Sequence, residues 1–124
     1  MIRNLVFYVI ITLGLLIPFK AKAWQKVEYK VTYDDNFQPT ATVKPANNGQ
    51  KTITSIQFVI LSTREGSDRW DATAMDCDRK IVTTTIQPGY VNTITFPIKL
   101  RSNYRFKDIA IEKVRFSDGT IKEY

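Results

Sequence analysis

Carboxylates concentrated in one stretch of the chain are the first candidates for chemistry. Residues 63–80 contain four aspartates with basic residues among them, and the acids are Asp68, Asp71, Asp76 and Asp78. Glycoside hydrolysis uses two carboxyl groups at a set separation. The neighbouring cations favour the ionised carboxylate, which is the wrong state for a general acid. We therefore interpret the stretch as a salt-bridged, solvated loop, and a hydrolase that uses these acids is a remote alternative.

Nucleophilic and metal chemistry have little support. The chain contains no His, so it has no imidazole base or imidazole ligand. Asp34-Asp35-Asn36 and Asp76-Cys77-Asp78 place oxygen ligands close together, as calcium requires. Neither run has the Gly and terminal Glu of a calcium loop, and Asp and Asn favour turns in any case. The sequence therefore predicts no catalytic residue, no metal site and no cofactor.

Cys77 is the only cysteine, so an internal disulfide is impossible. The acidic residues on either side raise the pKa of a thiol, which argues against a reactive nucleophile. We expect a small, buried or half-buried side chain, because free cysteine is among the most buried residue types. An intermolecular disulfide is the alternative.

Aromatic and arginine side chains suggest binding rather than catalysis. Exposed Trp or Tyr beside Arg suits stacking on a sugar ring or anchoring a protein partner. Residues 63–80 form the longest irregular segment, and long loops in compact domains are usually functional or disordered. The candidate binding residues are Trp70, Arg64, Arg69, Tyr90 and Tyr104. The alternative for Trp70 is that it folds back and caps one end of the domain.

The first 23 residues have the order of a secretory signal. Arg3 precedes an apolar run from Leu5 to Ile17, and Ala21-Lys22-Ala23 supplies small residues for cleavage. The run is shorter than the roughly 20 residues that span a bilayer. We therefore expect residues 1–23 to be removed, residues 24–124 to form a single exported domain without a membrane span, and its location to be periplasmic or extracellular.

The charge of the mature domain limits its partners. Loss of three cations with the signal lowers the net charge from +6 to +3. The remaining cations are interleaved with acids, and we find no concentrated basic stripe of the kind that binds nucleic acid. A protein or an envelope polymer is the expected partner, with a weak preference for anionic polymers or lipid surfaces.

Alternation of apolar and polar residues predicts that most of residues 27–124 form β-strands. Val27, Tyr29, Val31 and Tyr33 alternate with polar residues, and residues 40–44 form a second short strand. Residues 52–62 are apolar on both parities from Phe58 onward, which indicates a central strand. Residues 80–86, 91–100, 106–116 and 121–124 continue the pattern. A short edge strand is expected near residues 70–75.

Turn residues separate these strands. Asn47-Asn48-Gly49, Pro88-Gly89 and Asp118-Gly119 each provide turn chemistry, with glycine available for positive φ. Pro97 indicates an edge or a bulge, and a phase slip in residues 106–116 predicts a bulge near Glu112-Lys113. Seven or eight short strands without a helical stripe predict an all-β antiparallel sandwich. A small β-barrel is the alternative.

Three segments read TVKPANNGQKTITSIQFVIL, IQPGYVNTITFPI and IEKVRFSDGTI, from residues 42, 86 and 111 respectively. Their order resembles that of small exported bacterial immunoglobulin-like or fibronectin-type-III-like domains. In those domains an Asn-rich hairpin precedes a central strand, a Pro-Gly turn precedes an inward-facing strand, and a final hairpin carries Asp-Gly. The resemblance implies a scaffold for contact and binding, without the Cys…Trp…Cys framework of antibody domains.

The sequence thus predicts a non-enzymatic binding or interaction module of the cell envelope. A structural subunit that assembles by strand addition is the alternative, because the mature chain begins and ends in strand-like sequence and uncovered edges pair readily.

Overall fold

The computed structural model describes residues 23–66 and 75–124 and confirms the all-β antiparallel sandwich. The eight strands are β1 Gln25–Lys26, β2 Glu28–Tyr33, β3 Pro39–Lys44, β4 Ile53–Arg64, β5 Met75–Ile86, β6 Ile94–Pro97, β7 Tyr104–Phe116 and β8 Ile121–Glu123. They form two separate sheets, which rules out the barrel alternative. Within these two ranges no helix is long and apolar enough to cross a membrane.

The larger sheet has five strands in the order β1-β7-β4-β5, with β8 also paired to β7. β4 lies between β7 and β5, as its apolar residues on both parities predict, and Phe58, Val59 and Ile60 are all buried. β1 and β8 both pair with the far side of β7, at Ile111 and Arg115 among other positions. One edge of this sheet is therefore shared by two short strands, and the other edge is β5.

The smaller sheet has three strands in the order β2-β3-β6. Only Val27 separates β1 from β2, so the chain passes from one sheet to the other at this residue. Pro97 ends β6, an edge strand, where its missing amide costs no ladder hydrogen bond, as predicted.

The core lies between the sheets. Phe58 on β4 and Phe96 on β6 meet with ring centroids 5.6 Å apart, and Ile56, Ile86 and Ile109 are almost completely buried. Four phenylalanines are either buried or packed against the core: Phe58, Phe96, Phe106 and Phe116. Tyr33 departs from the predicted inward face and is 55% exposed.

Two of the three predicted glycine turns have the expected conformation. Gly89 and Gly119 have φ of 86° and 88°, and Tyr90 and Gly119 donate backbone hydrogen bonds to Gln87 and Phe116 that close these turns. Gly49 does not adopt positive φ. Instead, the amide oxygen of Asn47 accepts the Gly49 N–H at 3.0 Å, so a side chain and not glycine's conformational freedom shapes this turn.

Asn47 also joins this turn to two other segments. Its side chain is buried and donates to the carbonyls of Lys51 and Ile86 at 2.7 and 2.8 Å. Its backbone N–H donates to the carbonyl of Tyr90. One amide therefore satisfies buried backbone groups that the strands leave unpaired.

The predicted bulge in β7 is confirmed. Phe58 pairs with Ile111 and Gln57 with Lys113, so Glu112 is the extra residue. Its carboxylate is 7% exposed and accepts hydrogen bonds from Gln57 at 2.7 Å and from Arg79 at 2.8 and 3.0 Å. Arg79 lies on β5, so its side chain reaches across β4 to neutralise the buried carboxylate.

The long loop predicted over residues 63–80 is wrong at both of its ends. β4 continues through Arg64 and β5 begins at Met75, so the charged residues 76–80 belong to a strand. The predicted strand start at residue 80 is five residues too late. β5 lies at a sheet edge, where solvated charged side chains cost little and the apolar alternation that signals a strand is not required.

Candidate functional site

The ends of two long strands meet at one end of the five-stranded sheet. Arg64, the last residue of β4, pairs with Tyr104, the first residue of β7, and Thr63 pairs with Arg105. The loop before β7 carries Arg101, and β5 brings Asp76 to the same end. We call Arg64, Asp76, Arg101 and Tyr104 the Arg64–Tyr104 surface.

Tyr104 and Arg101 form the centre of the Arg64–Tyr104 surface. The Arg101 guanidinium carbon lies 5.0 Å from the centre of the Tyr104 ring, and its Nη1 donates to Asp76 Oδ1 at 3.4 Å. An arginine stacked on an aromatic ring loses little of its remaining hydrogen-bonding capacity. The Arg101 side chain is 66% exposed, so most of its donors remain open to a partner.

The backbone beneath this pair is fixed by a tight turn. Asn103 has φ of 67°, and the N–H of Tyr104 donates to the carbonyl of Arg101 at 3.0 Å. The N–H of Glu65 donates to the carbonyl of Asn103 at 2.7 Å, which ties the end of β4 to this turn. Arg64, Arg101 and Tyr104 are therefore held on one connected backbone framework rather than on independent loops.

The Arg64–Tyr104 surface is locally basic. Residues 99–107 read KLRSNYRFK and contain four cations and no acid. Arg64, Arg101 and Arg105 are exposed, and Tyr104 is half-buried. An exposed arginine beside an aromatic ring attracts carboxylates, sulfates or phosphates and gives them a flat surface for contact.

A buried hydroxyl lies directly beside this surface. Thr63 is 7% exposed, and its Oγ1 has no hydrogen-bond partner among residues 23–66 and 75–124. Such a group costs about 1–3 kcal/mol of folding free energy. The sequence gives no indication of this, because Thr63 reads as an ordinary strand residue.

Of the predicted binding residues that the structure describes, Arg64 and Tyr104 lie together, as described above. Tyr90 is 63% exposed but lies at the opposite end of the sandwich, in the turn that Asn47 holds. It therefore does not share a surface with Arg64 and Tyr104. Arg69 and Trp70 lie outside the described residues, as do Asp68 and Asp71.

Arg101 is a candidate binding residue that the sequence interpretation did not single out. The acid-free run at residues 99–107 is a signal that charge patterning provides. The pairing of β4 with β7 places this run beside Arg64, and the sequence pattern does not show that pairing.

Cys77 is exposed, contrary to the predicted buried or half-buried position. The alternation of β5 places it on the face of the sheet that points away from the core, at the edge. Partial desolvation raises the pKa of the Cys77 thiol, and Glu112, Asp76 and Asp78 raise it further, whereas Arg79 lowers it. The predicted direction of the shift is therefore confirmed, although desolvation and not the flanking acids is its main cause.

The acidic runs considered for calcium are engaged in local structure. Asp34 Oδ1 accepts the backbone N–H groups of Asn36 and Gln38 at 2.8 and 2.9 Å, which is a side-chain-stabilised turn. Asp78 accepts the N–H of Arg79 at 2.9 Å. In the part of the chain that the structure describes, no three acidic or cysteine side chains are grouped to hold a metal ion.

A cavity of about 510 Å³ opens at the other end of the sandwich, between β1, β8 and the turn at residues 45–49. Buried Ile56 and Val114 are among the residues that line it. We take the Arg64–Tyr104 surface as the candidate binding site, because an exposed arginine lies beside an aromatic ring there.

Comparison of the chain with protein-family models, with curated proteins and with solved structures gave no match.

Proposed function

We propose that residues 24–124 act as an exported, non-enzymatic binding module of the cell envelope, and that the Arg64–Tyr104 surface contacts an anionic partner. The observation that carries this proposal is the exposed Arg101 side chain beside the Tyr104 ring, at the end of the larger sheet where Arg64 pairs with Tyr104. Arg and Tyr are the residue types that contribute most to protein interfaces. The partner is a protein or an envelope polymer that presents carboxylates, sulfates or phosphates.

Poly-L-glutamate serves as a probe for this site, because it presents carboxylates on a flexible chain without any other chemistry. Residues 24–124 contain every described strand and serve as the protein. Replacing Arg64 and Arg101 by Gln should weaken binding about tenfold, which corresponds to about 1.4 kcal/mol. Fluorescence anisotropy with labelled polymer measures the dissociation constant of each variant.

The matched control replaces Lys30 and Lys44 by Gln. Both are exposed on the smaller sheet, and the change in net charge is the same. We expect this control to weaken binding less than twofold. An equal loss in both double variants would mean that net charge alone drives binding, and the Arg64–Tyr104 surface would be discarded as the site. Thermal unfolding of each variant confirms that the fold is intact.

Self-assembly by strand addition is the second candidate function. Its original reason was the strand-like sequence at both ends of the mature chain, but β1 and β8 are both paired with β7. The observation that now favours it is the uncovered side of β5.

A further inference from the structure

β5 is a long strand that is hydrogen-bonded on one side only. Ten of its twelve residues pair with β4, and among residues 23–66 and 75–124 no other strand follows in the sheet. At the C-terminal end of β5 the side chains of Asn92 and Asn47 donate to the carbonyls of Thr85 and Ile86. Farther along the strand, the N–H of Arg79 donates to the carboxylate of the preceding Asp78. Apart from this local bond at Arg79, residues 75–83 present an open ladder edge to the described part of the chain.

The other edges of the sandwich are shorter or covered. The far side of β7 carries both β1 and β8. β6 has four residues and ends in Pro97, which cannot donate a hydrogen bond, and β2 has six residues. A long open edge is a template for another strand, and β5 is the longest such template among the described strands.

The charges on β5 are complementary to themselves. Asp78 and Lys80 are two residues apart, so they lie on the same face of the strand. If two copies of β5 pair antiparallel around Arg79, Asp78 of each copy lies opposite Lys80 of the other. Directly opposed residues of opposite charge stabilise a sheet, and like charges destabilise it. An edge with charges of one sign would repel its own copy, whereas this edge provides two ion pairs.

Neighbouring registers are less favourable. If the two-fold axis moves from Arg79 to Lys80, the Lys80 side chains of the two copies lie opposite each other. A shift in the other direction places Asp78 opposite Asp78, and it brings Lys80 opposite Asp76, which already accepts a hydrogen bond from Arg101. The register centred on Arg79 avoids both like-charge contacts on this face.

Arg79 itself does not oppose this register. Its guanidinium reaches across β4 to Glu112 at 2.8 Å, away from the open edge. Where the two copies of Arg79 meet, each guanidinium therefore points away from the other copy and is paired with Glu112 of its own chain. On the same face Cys77 lies opposite Ile81, an exposed apolar side chain with 67% of its surface open to solvent. Pairing covers this isoleucine.

We propose that two copies of this chain associate through antiparallel pairing of β5, with the two-fold axis at Arg79, so that their larger sheets become one continuous sheet. The proposal is independent of the binding function, because it uses neither Arg64 nor Arg101. A two-fold interface presents the same surface from each copy, which is the commonest form of association between identical chains.

A charge exchange tests the pairing. Sedimentation velocity of residues 24–124 over a range of concentrations should show a monomer–dimer equilibrium. Lys80→Asp places Asp opposite Asp78 and should raise the dissociation constant at least tenfold. Asp78→Lys should do the same. The double variant Asp78→Lys, Lys80→Asp should bring the dissociation constant back to within about threefold of the wild-type value, because the exchanged residues again form two ion pairs.

The control for a purely structural effect is built into this series. Lys80 also lies 6.0 Å from the centre of the Phe96 ring, and both the single and the double variants lose that contact. Restoration in the double variant therefore reports pairing between copies. A wild-type protein that stays monomeric at millimolar concentration, or a double variant that stays as weak as the single variants, overturns the proposal.

Cysteine placement tests the register. In the proposed dimer the native Cys77 lies opposite residue 81, within the distance that a disulfide spans. Ile81→Cys should therefore give a covalent dimer under mild oxidation, well above the level of the wild type. Thr83→Cys, an equally exposed position one pleat away, should not. Equal cross-linking of the two variants, or preferential cross-linking of Thr83→Cys, overturns the register.

Discussion

Tyr29 shows how a single polar side chain is held at the margin of the core. Its ring meets Phe106 edge to face, with centroids 5.6 Å apart and an interplanar angle of 82°. Burial, together with the negative charge and hydrogen bond of Asp108, raises the pKa of Tyr29 from 10.0 to about 12. The folded state therefore favours the protonated phenol more strongly than the unfolded chain does.

This shift predicts a loss of stability in alkali. The raised pKa of Tyr29 contributes to the free energy of unfolding. This contribution is fully present below pH 10.0 and is lost as the pH rises towards 12, because the Tyr29 phenol of the unfolded chain releases its proton first. Tyr29→Phe should lower the free energy of unfolding by about 1 kcal/mol at neutral pH, the value of one hydrogen bond. The difference from the wild type should shrink between pH 10 and pH 12. Urea unfolding at several pH values measures it.

The control is Tyr33→Phe, on the same strand but with a side chain that is 55% exposed. It should leave the pH dependence of stability unchanged. Curves for the wild type and Tyr29→Phe that run parallel through this pH range would show that the phenol is not held by Asp108.

At the scale of the elements, the strands depend on turns that use different chemistry. Gly119 has φ of 88°, and the carboxylate of Asp118 accepts hydrogen bonds from the Thr120 N–H and hydroxyl at 3.0 and 2.6 Å. These bonds, with that from Lys51, hold the pKa of the Asp118 carboxyl well below its usual range. The turn at Asn47 instead relies on a buried amide.

The two turns should respond differently to the same substitution. Gly119→Ala forces a side chain into the left-handed region and should cost about 1–2 kcal/mol, although a Cβ there would meet no atom within 4 Å. Gly49→Ala should cost less than about 0.5 kcal/mol, because φ is ordinary and the nearest atom lies at 3.5 Å. Urea unfolding compares them. Equal losses would show that the left-handed conformation at Gly119 does not set the cost.

The sequence predicted elements well where burial imposes a period. The phase slip between Ile111 and Val114 correctly placed the bulge at Glu112, since both residues must face the core. The start of β5 was missed because an edge strand needs no apolar alternation. The pairing of Arg64 with Tyr104 was missed for a different reason. It depends on which strands are neighbours, and local pattern carries no information about that.

At the scale of the whole molecule, the two sheets are joined by side-chain packing without a disulfide, since Cys77 is the only cysteine. The contact between Phe58 and Phe96 bridges β4 of one sheet and β6 of the other. A domain of about 100 residues has only about 5–15 kcal/mol of total stability. A single aromatic pair at the sheet interface is therefore a large share of what holds the sandwich together.

Removing one ring should expose this dependence. Phe96→Ala should lower the free energy of unfolding by about 3–5 kcal/mol, through lost burial and the cavity left behind. Tyr90→Ala, an aromatic side chain that is 63% exposed, should change it by less than about 0.5 kcal/mol. Urea unfolding followed by circular dichroism measures both. A loss below 1 kcal/mol for Phe96→Ala would mean that the sheets collapse around the vacancy and that the interface is plastic.

The pairing of β1 with β7 also sets the order in which the fold can be completed. Gln25 has its partner at Ile111, close to the other end of the chain. A chain that emerges from a ribosome or a translocation channel presents its N-terminal side first, so β1 waits without a partner until β7 has appeared. Closing so long a loop is slow compared with forming local contacts. Every residue between β1 and β7 must therefore be released before the larger sheet can close, and until then β1 is exposed to other binding partners.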